Sequence, residues 1–312
     1  MARNVAFGRW GKWKRVICGV VWASVALTTA AIETLVRADE TSVVAATDGG
    51  GTNAGNSAGD FHFNSSTRWP EWDSTSETAL RFRVDAVVKF SRNEDEERSF
   101  RTSSVFFDDF AFDFIGDNGE IIIYSFSEKK FALIDPIRRL RTEVAADEID
   151  RFLANVKPLL EKRDDAFCAF MLDPTFEVSQ KEDELFFQSK WIDYRATTRA
   201  FDDPKIALVY FDFANALCKL NVFMNPGSIT PLARLAVNRR FQEEARFPEK
   251  LVVDVYPKGK MFFNRSFQAS NEYKLARRLS EKDRNRVMRA IHFAAQFQEV
   301  NFRTYYQKSN ER

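Results

Sequence analysis

Histidine is scarce in this sequence of 312 residues, which contains only His62 and His292. A Ser–His or Cys–His catalytic device would have to use His292, and a His-rich zinc site lacks the ligands it needs. Glycine and proline number only 12 and 9, too few for a disordered chain. The Gly-Gly-Gly of residues 49–51 follows no predicted strand and precedes no predicted helix, so it is not a phosphate-binding loop. No motif specifies a reaction, and we predict no catalytic residue, no cofactor and no metal.

Bulk charge is also nearly absent, since 46 lysines and arginines offset 45 aspartates and glutamates. Residues 1–38 contain six of the basic residues and one of the acids. The remainder therefore has 40 basic and 44 acidic residues, a net charge of −4. A generally basic protein that coats nucleic acid is excluded as a class, and we predict no nucleic-acid partner.

The basic N-terminus has the features of an export signal. Residues 1–15 form a positive leader, and residues 16–31 form an apolar run of the length of a signal-peptide core. Val36 and Ala38 provide small side chains for cleavage after Ala38. The alternative is an uncleaved anchor within 1–38, which would contact the membrane. On either interpretation the preceding lysines and arginines predict that the rest is exported, to the periplasm, the cell envelope or the medium.

Composition then divides the rest of the chain. Residues 39–75 are rich in Gly, Asn and Ser and predict a flexible tether. Residues 76–306 predict a single α+β domain, and residues 307–312 a disordered tail. Whether residues 204–300 form a separate subdomain is left open.

Cys168 and Cys218 remain after removal of the export segment. In an oxidising compartment they could form a disulfide. Both lie in apolar sequence, however, where a buried thiol commonly acts as a small hydrophobic side chain. Both interpretations stay open at this stage.

Phenylalanine is abundant, with 31 residues, and the strongest local pattern is an apolar meander over residues 110–134. Asn118-Gly119 predicts a two-residue type I′ hairpin turn, which pairs Phe114 with Ile123. The next loop, residues 127–130, pairs Phe126 with Phe131. One predicted face carries Phe112, Phe114, Ile121, Ile123, Ala132 and Ile134, and the other carries Ala111, Ile115, Ile122, Tyr124, Phe126, Phe131 and Leu133.

Both of these faces are apolar, whereas a strand with one wet face alternates apolar and polar residues. The meander must therefore be covered on both sides. A helix from Ala146 with an apolar stripe can cover one face, and Pro158 is expected to kink or divide it. The other face needs a second cover, which is either a packed core or a bound ligand.

The second half mixes further elements. Residues 175–199 predict two or three strands and residues 249–257 another. Three helices are predicted with caps at Asp203, Thr230 and Ser280. The predicted fold is α+β: a curved, half-barrel-like antiparallel β-sheet of seven to nine strands, with amphipathic helices packed against it.

Charged clusters offer other candidate sites. Asp108, Asp109, Asp113 and Asp117 could provide an acid–base pair, but the favoured interpretation is structural: a bend at Asp108-Asp109, a hairpin turn at Asp117 and a solvent-side or paired strand residue at Asp113. Basic residues cluster over Lys274–Arg289 and at the turn that holds Arg138, Arg139 and Arg141. On the exported side the Lys274–Arg289 cluster could bind an anionic lipid head group or an acidic polysaccharide. A solvated helix face is the simpler interpretation.

Residues 119–153, "GEIIIYSFSEKKFALIDPIRRLRTEVAADEIDRFL", run from strand to turn to strand, through Asp135-Pro136, into an amphipathic helix. In this order the stretch from about 100 to 195 resembles carriers of the LolA/LolB type, periplasmic half-barrels that shuttle lipoproteins. The resemblance implies that the second face lines a cavity for a lipid or a lipoprotein acyl chain. The implied wall is Tyr124, Phe126, Phe131 and Leu133, with Phe152 and Val156 as the plug.

Three functions follow. The first is an exported, non-enzymatic protein that binds a lipid or other apolar moiety in a half-barrel cavity. The second is an envelope or extracellular interaction protein with a packed core and no small-molecule ligand. An enzyme that uses paired carboxylates is the third.

Overall fold

The structure is a computed structural model that describes residues 80–91, 97–116, 119–163, 165–225, 230–256 and 267–310. The predicted export segment and tether lie outside the described residues, as do Asp117 and Asn118. The described residues form one large open sheet with helices packed on it, which confirms the α+β prediction.

The sheet has twelve strands in the described residues, more than the seven to nine predicted. All neighbours are antiparallel except β12, which pairs parallel with β6. The order across the sheet is β12-β6-β5-β4-β3-β2-β1-β11-β10-β9-β8-β7. The strands are β1 Arg81–Ser91, β2 Glu97–Phe107, β3 Phe110–Ile115, β4 Ile121–Ser125, β5 Lys130–Asp135, β6 Leu140–Ala145, β7 Glu177–Lys181, β8 Glu184–Gln188, β9 Ile192–Ala200, β10 Arg246–Val255, β11 Phe267–Ala276 and β12 Gln298–Glu299.

Six helices occur in the described residues, two more than predicted. The additional ones are short, and each begins after a capping side chain: Asp165 accepts from the backbone N–H groups of Phe167 and Cys168, and Asn301 accepts from that of Thr304. The helices are α1 Ala146–Glu161, α2 Ala166–Leu172, α3 Pro204–Met224, α4 Leu232–Glu243, α5 Glu281–Gln296 and α6 Phe302–Asn310.

The predicted register of the meander is wrong by two positions. Phe114 pairs with Ile121, not Ile123, and the Ile115 N–H donates to the carbonyl of Glu120. Gly119 is required there, since a Cβ would lie 1.8 Å from the Ile115 carbonyl oxygen. In the next hairpin Phe131 pairs with Tyr124, whereas the sequence predicts Phe126 as its partner.

The predicted faces are nevertheless correct, because a slip of two residues returns each side chain to the same side of a strand. Every residue of β3 and β4 is buried, so the meander is covered on both faces as predicted. α5 covers the face of Phe112, Phe114 and Ile123 with Val287, Ala290 and Ala294. The other face belongs to the larger core, which α1 to α4 help to close.

α3 is the central helix of that larger core. Asp203 accepts from the backbone N–H of Lys205 and Pro204 begins the helix, as predicted. By length and composition α3 is the one described helix that could cross a membrane, and most of its apolar stretch is buried within the fold. An apolar helix buried on nearly all sides is what the centre of a core requires.

Two helix predictions need correction. Thr230 does not cap α4; its hydroxyl donates to the carbonyl of Met171 at 2.5 Å, and Pro231 occupies the cap position. Pro158 does not divide α1, which runs unbroken from Ala146 to Glu161. Ser280 does cap α5, in a reciprocal capping box with Asp283.

Candidate functional site

Three of the four predicted wall residues lie together on the large-core face of the meander. Tyr124 in β4 packs against Phe131 in β5 with ring centroids 4.6 Å apart, and Leu133 lies on the same face. All three are buried. Phe126 follows β4 in the turn, is half-buried, and its ring lies 5.3 Å from that of Tyr124.

The wall continues through aromatic side chains that sequence reasoning did not assign to it. Phe213 of α3 lies 6.0 Å from Tyr124 and meets Phe106 of β2 edge-on at 5.4 Å. Phe106 in turn stacks on Phe82 of β1 at 4.1 Å. α3 is therefore the helix that directly covers the wall.

The predicted plug residues lie on α1, beside α3. Phe152 packs edge-on against Phe223 of α3 at 5.3 Å, and both Phe152 and Val156 are half-buried. Ile149 is the one fully buried side chain that α1 contributes. α1 therefore lies over α3 with a thin apolar contact.

Two ion pairs hold α3 at the edge of this wall. Lys129, in the turn between β4 and β5, bonds Asp212 of α3 at 2.7 Å. Lys219 of α3 bonds Asp150 of α1 at 2.8 Å. Burial raises the pKa of the Tyr124 phenol, and the carboxylates of Asp212, Asp150 and Asp109 raise it further. Tyr124 is therefore a neutral hydrogen-bonding group next to this edge. We name this edge, formed by Lys129, Asp150, Asp212 and Lys219, the rim.

The carboxylates of residues 108–113 have structural roles. Asp108 and Asp109 form the tight turn between β2 and β3, with Asp108 at φ 51°, and Asp109 accepts from Ser125 at 3.0 Å. Asp113 is not on the solvent side; it is buried and accepts from Ser104 at 2.7 Å, as the paired alternative requires. Asp117 lies outside the described residues. In the described part of the chain no group of three His, Cys, Asp or Glu residues could hold a metal ion.

The two basic clusters differ. Arg138 bonds Asp135 at 2.7 Å and the Tyr305 carbonyl at 3.0 Å, so its turn holds α6 on the fold. Arg141 bonds Glu299 of β12 at 2.6 Å. In the Lys274–Arg289 cluster, Arg286 lies 4.2 Å from the ring centre of Phe114. The others are exposed: Lys274, Arg277, Arg278, Lys282, Arg284 and Arg289.

Cys168 and Cys218 are both buried thiols, and no disulfide joins them in the described structure. Burial raises the pKa of both, that of Cys218 to about 11. The sequence alternative of a small hydrophobic side chain therefore describes both residues.

Sequence reasoning missed a buried arginine beside Cys218. Arg234 of α4 is 3% exposed, and Asn238, one turn later, is fully buried and donates to Asn215 of α3 at 2.8 Å. The signal was present in the spacing, because Arg234 and Asn238 fall on the same stripe as Val237 and Phe241.

No protein-family model and no curated protein matches the sequence. Among solved structures the chain is similar to a LolA superfamily protein from Nitrosomonas europaea. The identity is 9% and the TM-score 0.25, over 65% of this chain and 88% of that one. That is the superfamily that residues 100–195 resemble. The likeness is a weak one in fold.

Proposed function

We propose that the protein is an exported, non-enzymatic binder of a lipid or a lipoprotein acyl chain. Tyr124, Phe126, Phe131 and Leu133 form the wall of its site, and α1 is the part that moves. The supporting observation is the contrast between a wholly apolar wall and the helix beside it, whose one fully buried side chain is Ile149.

The wall is covered in the structure, so a ligand reaches it only when a covering element moves. α3 is firmly held, with buried side chains along its length from Ile206 to Met224. α1 is held by Ile149, by half-buried side chains such as Phe152, and by a surface ion pair. Local opening is easiest where few buried apolar contacts are lost. α1 therefore opens first, and its release removes the Phe152–Phe223 contact and the Lys219–Asp150 ion pair that help to hold α3 over the wall.

A bound acyl chain would be stabilised by burial of apolar surface, as the side chains of the core are. Each buried methylene contributes about 0.8 kcal/mol, so a long chain against these rings gains enough to offset the displaced Phe152 and Val156 contacts. The predicted export segment over residues 1–38 would bring the protein to a compartment bounded by lipid.

Native mass spectrometry of the purified full chain, with lipid extraction after unfolding, tests the proposal. A stoichiometric lipid mass that is released on unfolding supports it. An apo mass from a lipid-rich host, with no uptake of a fluorescent fatty acid, contradicts it.

A matched pair of variants makes the test specific to the wall. Phe131→Leu changes the wall, whereas Phe112→Leu changes an equally buried phenylalanine on the opposite face of the meander. We expect both to lose similar stability, since each removes a similar volume from a core. Only Phe131→Leu should weaken lipid binding.

The second candidate function is an envelope interaction protein with a packed core. The exposed basic side chains from Lys274 to Arg289 favour it. It becomes the better description if the chain takes up no lipid yet binds anionic vesicles. Such binding should weaken as salt screens the charges.

A further inference from the structure

Arg234 lies in the interior, where α3, α4 and two strands of the sheet meet. Its neighbours are Tyr210 and Cys218 of α3, Tyr194 of β9 and Tyr273 of β11, all of which interact with it electrostatically. The Cys218 thiol also shares a hydrogen bond with it. Every one of these neighbours is buried.

Among the residues that the structure describes, no acidic group balances the positive charge of Arg234. Its Nε and Nη1 atoms are buried and have no hydrogen-bond partner in the described structure. No carboxylate of the described residues is among the groups that interact electrostatically with it. Burial raises the pKa of all three tyrosines and of Cys218, so these groups are neutral at pH 7. Arginine remains charged.

A buried charge is costly, and proteins retain one mainly where it is paired with an opposite charge or needed for function. α4 also packs on the core through the apolar side chains of Ala233, Val237 and Phe241. We therefore take the missing partner to be an anion that the described residues do not supply.

The position of Arg234 relative to the wall indicates what carries that anion. Tyr210, next to Arg234, lies 6.4 Å from Phe106, and Phe106 lies 5.4 Å from Phe213. Phe213 lies 6.0 Å from Tyr124 of the wall. A continuous series of aromatic contacts thus joins the buried cation to the proposed acyl-chain wall.

We propose that Arg234 is the head-group anchor for a long-chain carboxylate whose hydrocarbon part lies along these aromatic rings. This inference rests on the proposed function, since it names the chemistry of the same ligand. A carboxylate fits because its single negative charge balances one guanidinium, whereas a doubly charged phosphate monoester would leave net charge buried. Guanidinium groups bind carboxylates through strong charge-assisted hydrogen bonds.

The test compares palmitate with 1-hexadecanol, which has the same chain length and no charge. Each competes with a fluorescent uncharged lipophile bound to the purified full chain at pH 8. We expect palmitate to bind on the order of tenfold more tightly or better, as hydrogen bonds to a charged group provide. Arg234→Met should reduce the ratio to about one, and Arg234→Lys should retain part of it. Arg239→Met, an exposed arginine on the same helix, should leave it unchanged.

The outcomes separate this inference from the proposed function. Equal binding of palmitate and hexadecanol by the wild type would overturn the anchor and leave lipid binding intact. Binding of neither would overturn both. A preference for palmitate that survives in Arg234→Met also overturns the anchor. If Arg234→Met does not fold, the wild-type ratio and Arg234→Lys decide the matter.

Thermal unfolding adds a second test, because removing an arginine that only stabilises the core should lower the stability, whereas removing an unpaired buried charge should not. Without ligand, Arg234→Met should be as stable as the wild type or more so, because the buried charge is gone. A large loss of stability, together with a wild-type palmitate-to-hexadecanol ratio near one, would make Arg234 part of the core only.

Discussion

Arg83 of β1 donates to the carboxylate of Asp283 of α5 at 2.8 Å, and that carboxylate also accepts from the backbone N–H and the hydroxyl of Ser280. One buried side chain therefore caps a helix and fixes it to the sheet. α5 covers the face of the meander opposite the proposed wall, so this contact sets how firmly that side is closed.

Replacing Asp283 by asparagine should destabilise the fold by about 1–3 kcal/mol at pH 7, because the charge-assisted bond from Arg83 is lost. Urea unfolding measures the change. Glu281→Gln, an exposed acid in the same first turn, should stay within about 0.5 kcal/mol of the wild type. Equal losses in the two variants would contradict the contact.

The difference in stability between the wild type and Asp283→Asn should depend on pH. Burial alone would raise the pKa of Asp283, but the hydrogen bonds from Ser280 and the charge of Arg83 lower it below its usual 3.8. A lowered folded-state pKa stabilises the fold above the unfolded pKa, and the gain is lost as pH falls through the folded pKa. The difference between wild type and Asp283→Asn should thus hold from pH 8 to pH 5 and shrink below about pH 4. A difference that grows in acid would refute it.

The stability of the core above the wall should be sensitive to substitution of Phe106. Its ring is buried between Phe82 and Phe213, so Phe106→Ala leaves a large cavity and should cost about 3–5 kcal/mol. Leu208→Ala, on the exposed side of α3, should cost less than about 1 kcal/mol. Denaturant unfolding of both variants tests whether α3 packs on the sheet as described.

The local patterns predicted which side chains share a face, but not which residues pair. Face depends on the alternation along one strand, which the sequence contains directly. Register depends on contacts at the strand ends: the carbonyl of Ile115 excludes a Cβ at position 119, and the Ile115 N–H donates to the carbonyl of Glu120. Because side chains alternate along a strand with a period of two, Phe114 faces the same side whether it lies opposite Ile121 or Ile123. The predicted faces are therefore correct although the predicted register is wrong.

Other parts of the site were beyond local reasoning for a different reason. Phe213 and Phe106 are far apart in sequence, and only the packing of α3 onto β2 brings them to Tyr124. Arg234 shares a helix stripe with Val237 and Phe241, which indicates burial, but only the packing of α4 in the fold places it beside Cys218. Long-range packing decides such contacts, and no single-segment pattern encodes it.

Tyr124 gives a prediction on the alkaline side. Its pKa is raised by burial and by nearby carboxylates, so the folded protein holds the phenol neutral while the unfolded chain ionises it near pH 10. A raised folded-state pKa gives stability that is present below pH 10 and lost as pH rises beyond it. Near pH 7 the unfolding free energy of Tyr124→Phe should vary with pH as that of the wild type does. Between pH 10 and pH 12 the variant should lose less stability than the wild type. The slopes of the unfolding free energy against pH measure this, and identical slopes would contradict it.

The rim gives the prediction that bears most directly on opening. Lys129–Asp212 and Lys219–Asp150 are surface ion pairs, which contribute only about 0–1 kcal/mol each to stability. They nevertheless join α3 to the wall turn and to α1. The double variant Lys129→Gln, Lys219→Gln should therefore unfold nearly as the wild type does, yet its α1 amides should exchange faster and it should take up a fluorescent fatty acid severalfold faster. Arg151→Gln is the matched control, since it breaks an ion pair with Asp147 that lies within α1 alone. If Arg151→Gln speeds uptake as much as the double variant does, helix fraying and not release of the rim governs entry, and α1 does not open as a unit.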